Sequence, residues 1–467
     1  MRFRRPLLIL VLAAQSLPGI SCQSGATVNT KDQSGLEAKV DSIAEAALNK
    51  SMVPGLSVAV MRGPDVILAK GYGFADVEKR VPATPSTIYQ IGSISKQFTA
   101  AAIMRLVEQG RMRLDDPITK YLPDYPTQGH TVLVRHLLHQ TSGIKEFFTI
   151  QGYDEMDISP PEKHSRDDLI SLFKKQPFQF APGERWAYSN SNYTLLGRII
   201  ETVSGKTYDQ YLRESFFAPL GLKATSQCDA RLTGDAHAKG YFVKDGAVVI
   251  APQVNMNMAI GDGGLCSTVL DLVKWKRALV NSGVVTGSSY DKMISSEPVR
   301  RGYKPAYGFG LSLVGLDGLR RVAHNGEVGG FTGTLAHYPD KDITIAVLTN
   351  IGHIWPEAIE KAIARAAHGL PTPVTKDVPV EIKDRQRYVG TYDFGVFPLR
   401  VIEEGGRLKF DMKMGRVPYV LLYQGDQVFV AESDPDAIRL TFSVSGERAG
   451  KMLIEMAGMH WYAERVK

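Results

Sequence analysis

Two largely apolar runs near the start of the chain, GLSVAVMRG from Gly55 and DVILAKGYGF from Asp65, flank Gly63-Pro64. With β-branched residues inside and turn residues at the ends, they predict a pair of strands. Residues 36–50 ahead of them carry a helical period, which also dominates from Ile91 to about residue 279, broken by loops rich in Pro and Gly. Strand character returns in RRVAHNG, FTGTLAHYP and DITIAVLTN, and a helix is predicted over about 356–368. Strands from both ends with helices between them predict an α+β domain over residues 36–370: an antiparallel sheet flanked by helices, with a helical subdomain inserted.

The prolines and charges of PTPVTKDVPVEIKD, residues 371–384, mark a linker. Beyond it, LRVI, RLKFDM, QVFVAE, IRLTFSV and KMLIEM alternate apolar and polar positions, with turns at Glu404-Gly405-Gly406, Gly425-Asp426 and Ser445-Gly446. This predicts an antiparallel meander of seven or eight strands, curled into a small β-barrel over residues 385–467.

At 467 residues, 44% apolar and 22% charged, the chain has the composition of a soluble globular protein of more than one core. Its formal charge of +6 falls to about +3 once Arg2, Arg4 and Arg5 are set aside, too little and too scattered to argue for nucleic acid. Those arginines precede the apolar run LLILVLAA and then LPGISC, so residues 1–22 read as an export signal. The expected location is periplasmic or secreted. Cleavage before Cys22 would allow a lipid anchor there, the one membrane link expected, although Gly19 stands where such signals usually have Leu. Cys228 and Cys266 could pair in an oxidising compartment, and the sequence alone does not say whether they meet.

The helix predicted from Lys96, with Phe98, Ala101, Ala102, Met104, Leu106 and Val107 as its apolar body, is to be buried, yet Lys96 lies on its first turn, three residues after Ser93. A buried ammonium loses hydration and becomes easier to deprotonate, so Lys96 can take the Ser93 proton. A serine at a helix start also lies among backbone N–H groups suited to an oxyanion. Ser-x-x-Lys alone is weak, occurring also at Ser142, Ser171 and Ser289. What distinguishes Ser93 is its company: the single Tyr-x-Asn, Tyr188 to Asn190, and the single His-x-Gly, His324 to Gly326.

In that order these motifs resemble the serine β-lactamase and penicillin-binding-protein superfamily, closest to class C β-lactamases, serine esterases and D-Ala-D-Ala carboxypeptidases. LVRHLLHQTSGI, PGERWAYSNSNYTLLGRIIETVSG, GDGGLCSTVLDLVKWKRAL and HNGEVGGFTG look like its recurring segments. The C-terminal part resembles, more loosely, the lipocalin-like barrels appended to some members. The resemblance implies an exported serine hydrolase in which Ser93 forms an acyl-enzyme, with Lys96 its activator and Tyr188 completing the base as a coupled pair. It implies that Asn190, His324, Gly326 and Glu327 form the substrate-binding and oxyanion side. There Asn190 bonds Lys96 and the substrate amide, the Ser93 and Glu327 backbone N–H groups form the oxyanion hole, and His324 helps hold the substrate or its carboxylate. The expected partner is a small-molecule or peptide substrate: an ester, a D-amino-acid peptide or a β-lactam. No cofactor, metal or nucleic acid is expected, and the barrel is a candidate oligomer contact.

The third motif departs from the usual Lys-Thr-Gly, and a neutral imidazole attracts a carboxylate less than an ammonium does. Glu-x-x-Leu-Asn, the class A signature, occurs only upstream of Ser93, from Glu45, and is read as chance. His136 and His139 lie three apart but lack the companions of a zinc site. GDGGL, residues 261–265, reads as a tight turn near the cleft rather than a phosphate loop. No Gly-x-Ser-x-Gly supports an α/β-hydrolase. The rival readings are a non-catalytic envelope scaffold that keeps the fold, and a barrel that binds an apolar ligand or joins protomers.

Overall fold

In the computed structural model, which describes residues 30–466 apart from 161, 229–233, 235, 353, 395–397 and 413–417, the first two apolar runs form β1 (Gly55–Arg62) and β2 (Asp65–Asp76). With β3 (Val81–Pro82), β4 (Val322–Val328), β5 (Phe331–Tyr338) and β6 (Ile343–Thr349) they make one antiparallel sheet, ordered β3-β2-β1-β6-β5-β4. The two ends of the chain meet where Val58 pairs with Val347 and Ala59 with Ala346. Val58, Val60, Ile345 and Val347 pack with Val40 and Ala44 of α1 (Thr30–Lys50) and, on the same face, with Ile359 and Ile363 of a helix over Pro356–His368. Ala59, Met61, Ala346 and Leu348 point the other way, into the helical region. Burial on both faces explains why these strands read as nearly continuous apolar runs.

The helical region is built around α2 (Lys96–Glu108), which follows a 3₁₀ turn over Gly92–Ser95. Phe98 stacks on Trp275 with centroids 3.9 Å apart, and the Trp275 indole donates to Gln97 Oε1 at 3.1 Å. Behind it lies α3 (Asn190–Ser204). Two features here differ from the helical expectation. Tyr241–Lys244 and Ala247–Ile250 form a two-stranded ribbon, since Asp245-Gly246, both at positive φ, makes the tight turn that joins such strands. Leu265–Ser267 pairs with Tyr89–Gln90 and Ser226–Gln227. Cys228 and Cys266 form a disulfide beside this small sheet. A link across 38 residues restricts the unfolded chain by an amount worth on the order of 4 kcal/mol.

After the proline-rich stretch, eight strands from Gly390–Asp393 to Met459–Arg465 form a closed antiparallel barrel, sealed where Tyr392 pairs with Arg465. Its core carries Tyr388, Phe429 and Phe442 in mutual ring contact at 4.9–5.6 Å. The barrel is anchored to the sheet's helix by Arg365, which bonds Asp317 at 2.6 Å and Asp436 at 2.7 Å, and by Lys361, which donates to the Asp436 carbonyl at 2.5 Å. Among the described residues no helix is long and apolar enough to cross a membrane.

Candidate active site

Ser93 stands in the 3₁₀ turn that feeds α2, half-buried at the floor of a cleft, while Lys96, one turn on, has no exposed surface. Lys96 Nζ lies 2.9 Å from Ser93 Oγ and donates at 2.6 Å both to Asn190 Oδ1 and to the Asp262 backbone carbonyl. These three contacts hold the amine on the serine. Burial pulls Lys96 down to about 8, opposed by the nearby charges of Asp262 and Glu146. The expected nucleophile, lysine and asparagine are therefore brought into one bonded group.

Glu146 and Asp262 are the residues that sequence reasoning missed. Glu146 is buried beneath α3, accepts from the Asn190 and Phe148 backbone N–H groups, and is pushed up by burial to about 7. It thus ties down the helix end that presents Asn190. Asp262 is buried too, raised by burial, and accepts from the Ile260 N–H at 3.2 Å. GDGGL is the tight turn expected of it: Gly261 has φ +79°, and the Gly261 and Asp262 carbonyls turn toward α2, onto Thr99 and Lys96.

Tyr188 lies in irregular backbone just before α3, its ring centroid 5.0 Å from Lys96 Nζ. Part of its surface is open, yet its surroundings are dense enough that burial raises the phenol well above 10; its contact with Ser93 pulls the other way. Lys96 is therefore the member of the pair that loses its proton first.

His324 is placed differently from the expectation that it holds the substrate. It is 2% exposed, with both ring nitrogens engaged: Nδ1 donates to the Asn325 carbonyl at 2.5 Å, which leaves Nε2 to accept from the Tyr307 hydroxyl at 3.0 Å. Burial, followed by the charge of Lys96, lowers it to about 3, so it is neutral. It fixes Tyr307, whose ring stands edge-on to Tyr188 at 6.1 Å. His136 and His139 lie elsewhere: His136 Nδ1 accepts from the Leu133 N–H, and His139 meets the Phe309 ring at 4.6 Å.

The edge strand β4 runs against the Ser93 turn with no side chain between. A Cβ on Gly326 would stand 1.9 Å from the Ile91 carbonyl and 3.1 Å from the Ser93 nitrogen. One on Gly92, at φ +48°, would stand 2.7 Å from the Glu327 nitrogen. Two glycines thus bring the Ser93 and Glu327 backbones together. The rest of the cleft is lined mainly by Phe147, Phe148, Tyr153, Leu169, Met256 and Met258, with Asp157 and Asp262; no Lys, Arg or His is among its described lining residues.

An antiparallel sheet between helical layers, with a serine and a buried lysine at the start of the central helix, defines the fold of the penicillin-binding serine hydrolases. The Beta-lactamase family profile matches residues 40–370, and the chain belongs to that family. Protein flp of Staphylococcus aureus (strain MW2) is 28% identical over 330 residues, 69% of this chain and 65% of its own length, so the chain spans about two thirds of that relative. The octameric penicillin-binding protein homologue from Pyrococcus abyssi is similar over 91% of this chain and 99% of its own, at 29% identity and TM-score 0.66. A D-stereospecific amidohydrolase from Streptomyces sp. is similar over 72% of this chain and 99% of its own, at 25% identity and TM-score 0.62.

Proposed function

We propose that this protein is an exported serine hydrolase that works through a covalent acyl-enzyme on esters and D-amino-acyl amides or peptides. The observation that carries the reading is the 2.9 Å contact between Ser93 Oγ and a wholly buried lysine pulled down to about 8. Ser93 Oγ attacks the substrate carbonyl and its proton passes to Lys96, with Tyr188 relaying it to the leaving group as the carbonyl–leaving-group bond breaks. The Ser93 and Glu327 backbone N–H groups receive the oxyanion. Water then attacks the ester, its proton follows the same path, and the acid leaves as Oγ recovers its hydrogen.

Substrate choice follows from charge. His324 is buried and neutral, and Lys96 is taken up by Ser93, Asn190 and Asp262. The described lining of the cleft carries carboxylates without a cation, so a substrate that must present a carboxylate finds little to hold it there. This disfavours β-lactams and C-terminal carboxypeptidase substrates. The similarity to a D-stereospecific amidohydrolase supports the D-amino-acyl choice. Export is supported by the N-terminal pattern and by the Cys228–Cys266 disulfide, which suits an oxidising compartment.

The test is kcat/KM for p-nitrophenyl acetate, D-phenylalanine amide and a cephalosporin. The ester or the amide should exceed the cephalosporin by about tenfold or more, the worth of one missing charge-assisted contact. Ser93→Ala should abolish all turnover. A cephalosporin hydrolysed as fast as either would contradict this choice of substrate.

A further inference from the structure

The barrel's last hairpin reaches Tyr188. Strands Arg448–Met456 and Met459–Arg465 are joined at Ala457 and Gly458, which take φ of 54° and 68°. The turn rests on the sheet edge that carries the His-Asn-Gly motif. Ser312, paired with Ala323 of β4, donates its hydroxyl to the Gly458 carbonyl, and a Cβ on Gly458 would stand 3.1 Å from Asn325 Nδ2. Past the turn, the Trp461 ring lies 6.2 Å from Tyr188 and 5.1 Å from Trp186, centroid to centroid. Its indole N–H donates to the Met456 carbonyl at 3.2 Å, and Phe394 stands edge-on to it at 5.1 Å, so the ring is held from the barrel side. Trp186, Val299 and Tyr307 share one buried apolar cluster with the barrel core.

We propose that Trp461 is a positioning residue for acyl transfer: it holds the Tyr188 ring toward Ser93 and screens the side it covers from water, making the barrel a wall of the active site. This rests on the reading of Ser93, Lys96 and Tyr188 as the catalytic unit. Tyr188 belongs to no helix or strand, so its orientation depends on the rings around it. Tyr307 and His324, locked to each other, supply two sides at 6.1 Å each, and Trp461 supplies a third. A proton relay tolerates little displacement, since about 1 Å at a reacting group can cost about a hundredfold in rate.

The experiment measures p-nitrophenyl acetate turnover against pH in the full chain and three variants. Trp461→Leu keeps an apolar side chain against Phe394 but removes the ring from Tyr188. It should lower kcat by roughly tenfold or more with little change in KM. It should also move the rise in rate to higher pH, because water now reaches the Lys96–Tyr188 pair and relieves the burial that favours the neutral amine. The other titratable groups facing the pair, Glu146, Tyr193, Asp262, Tyr307 and His324, lie outside the barrel and are unchanged. Trp461→Phe, which restores a ring, should recover most of the rate and the original pH dependence. Phe442→Leu, in the barrel core among Tyr388 and Phe429, should leave both at wild-type values. A Trp461→Leu enzyme at wild-type rate, or an equal loss in Phe442→Leu, would overturn the role of Trp461 and leave the catalytic reading standing. An inactive wild-type enzyme would overturn both.

Discussion

A lysine with no exposed surface is costly to keep charged, and Lys96 meets that cost by giving up its proton more easily than a lysine in water. Acylation needs the neutral amine, so kcat/KM for an uncharged ester should climb with pH and level off above about 8. Tyr188, raised well above 10, stays protonated through that range, and His324, lowered to about 3, adds no limb near neutrality. A profile that levels off by about pH 6 would mean that some other group accepts the proton. That Ser93 and Lys96 would touch was legible in their spacing, one helical turn apart, and that Tyr188 and Asn190 would lie beside them was legible only through the family resemblance. Glu146 and Asp262 were not, because a buried carboxylate and a solvated one look alike in a sequence. Their partners lie far along the chain: Asn190 is 44 residues from Glu146, and Lys96 is 166 from Asp262. His324 was legible as a motif but not as a buried residue, since nothing in His-Asn-Gly says that the Tyr307 hydroxyl will meet its Nε2.

Among the elements, the close pass of β4 over the Ser93 turn decides whether an oxyanion site exists. Gly326→Ala would press a methyl group onto the Ile91 carbonyl, a backbone atom that cannot swing aside. The strand must then move off, and the Glu327 N–H moves with it. Loss of one such donor costs roughly a hundredfold to a thousandfold in kcat, so the variant should fall by that much with KM less affected. Ester kinetics beside a melting curve checks this; near-wild-type kcat would place the oxyanion elsewhere. Five of the six strands of the main sheet were readable, most plainly β1, β5 and β6, whose two faces are both buried. β3, two residues long, was not. The barrel was readable because its runs alternate. The ribbon at Asp245-Gly246 was hidden inside a long stretch of helical period, where a four-residue strand carries too few positions to compete.

At the scale of the whole molecule, the barrel was legible in the sequence but not where it rests, because Trp461 meets Tyr188 from 273 residues away, 461 less 188. Beside this apolar contact, the joint has an ionic part. Arg365 bridges Asp317 and Asp436, while Asp434 is pushed up to about 7, first by burial and then by the charges of Glu357 and Asp436, against the pull of Lys361. An acid whose folded pKa is raised binds its proton more tightly folded than unfolded, so stability declines as pH rises from about 4 to 7. Asp434→Asn should flatten that decline in a series of thermal melts, and an unchanged slope would assign it to other groups.

All of this serves one claim, that Ser93 is a nucleophile. Intact-protein mass spectrometry after brief exposure to an activated ester or a β-lactam, with peptide mapping of the product, tests it directly. The expected result is a single added acyl group on the peptide containing Ser93, absent from Ser93→Ala and greatly slowed in Lys96→Ala. Wild-type protein that stays unmodified by every acylating probe while still binding a ligand reversibly would contradict it, and would make this chain a scaffold that keeps the fold without the chemistry.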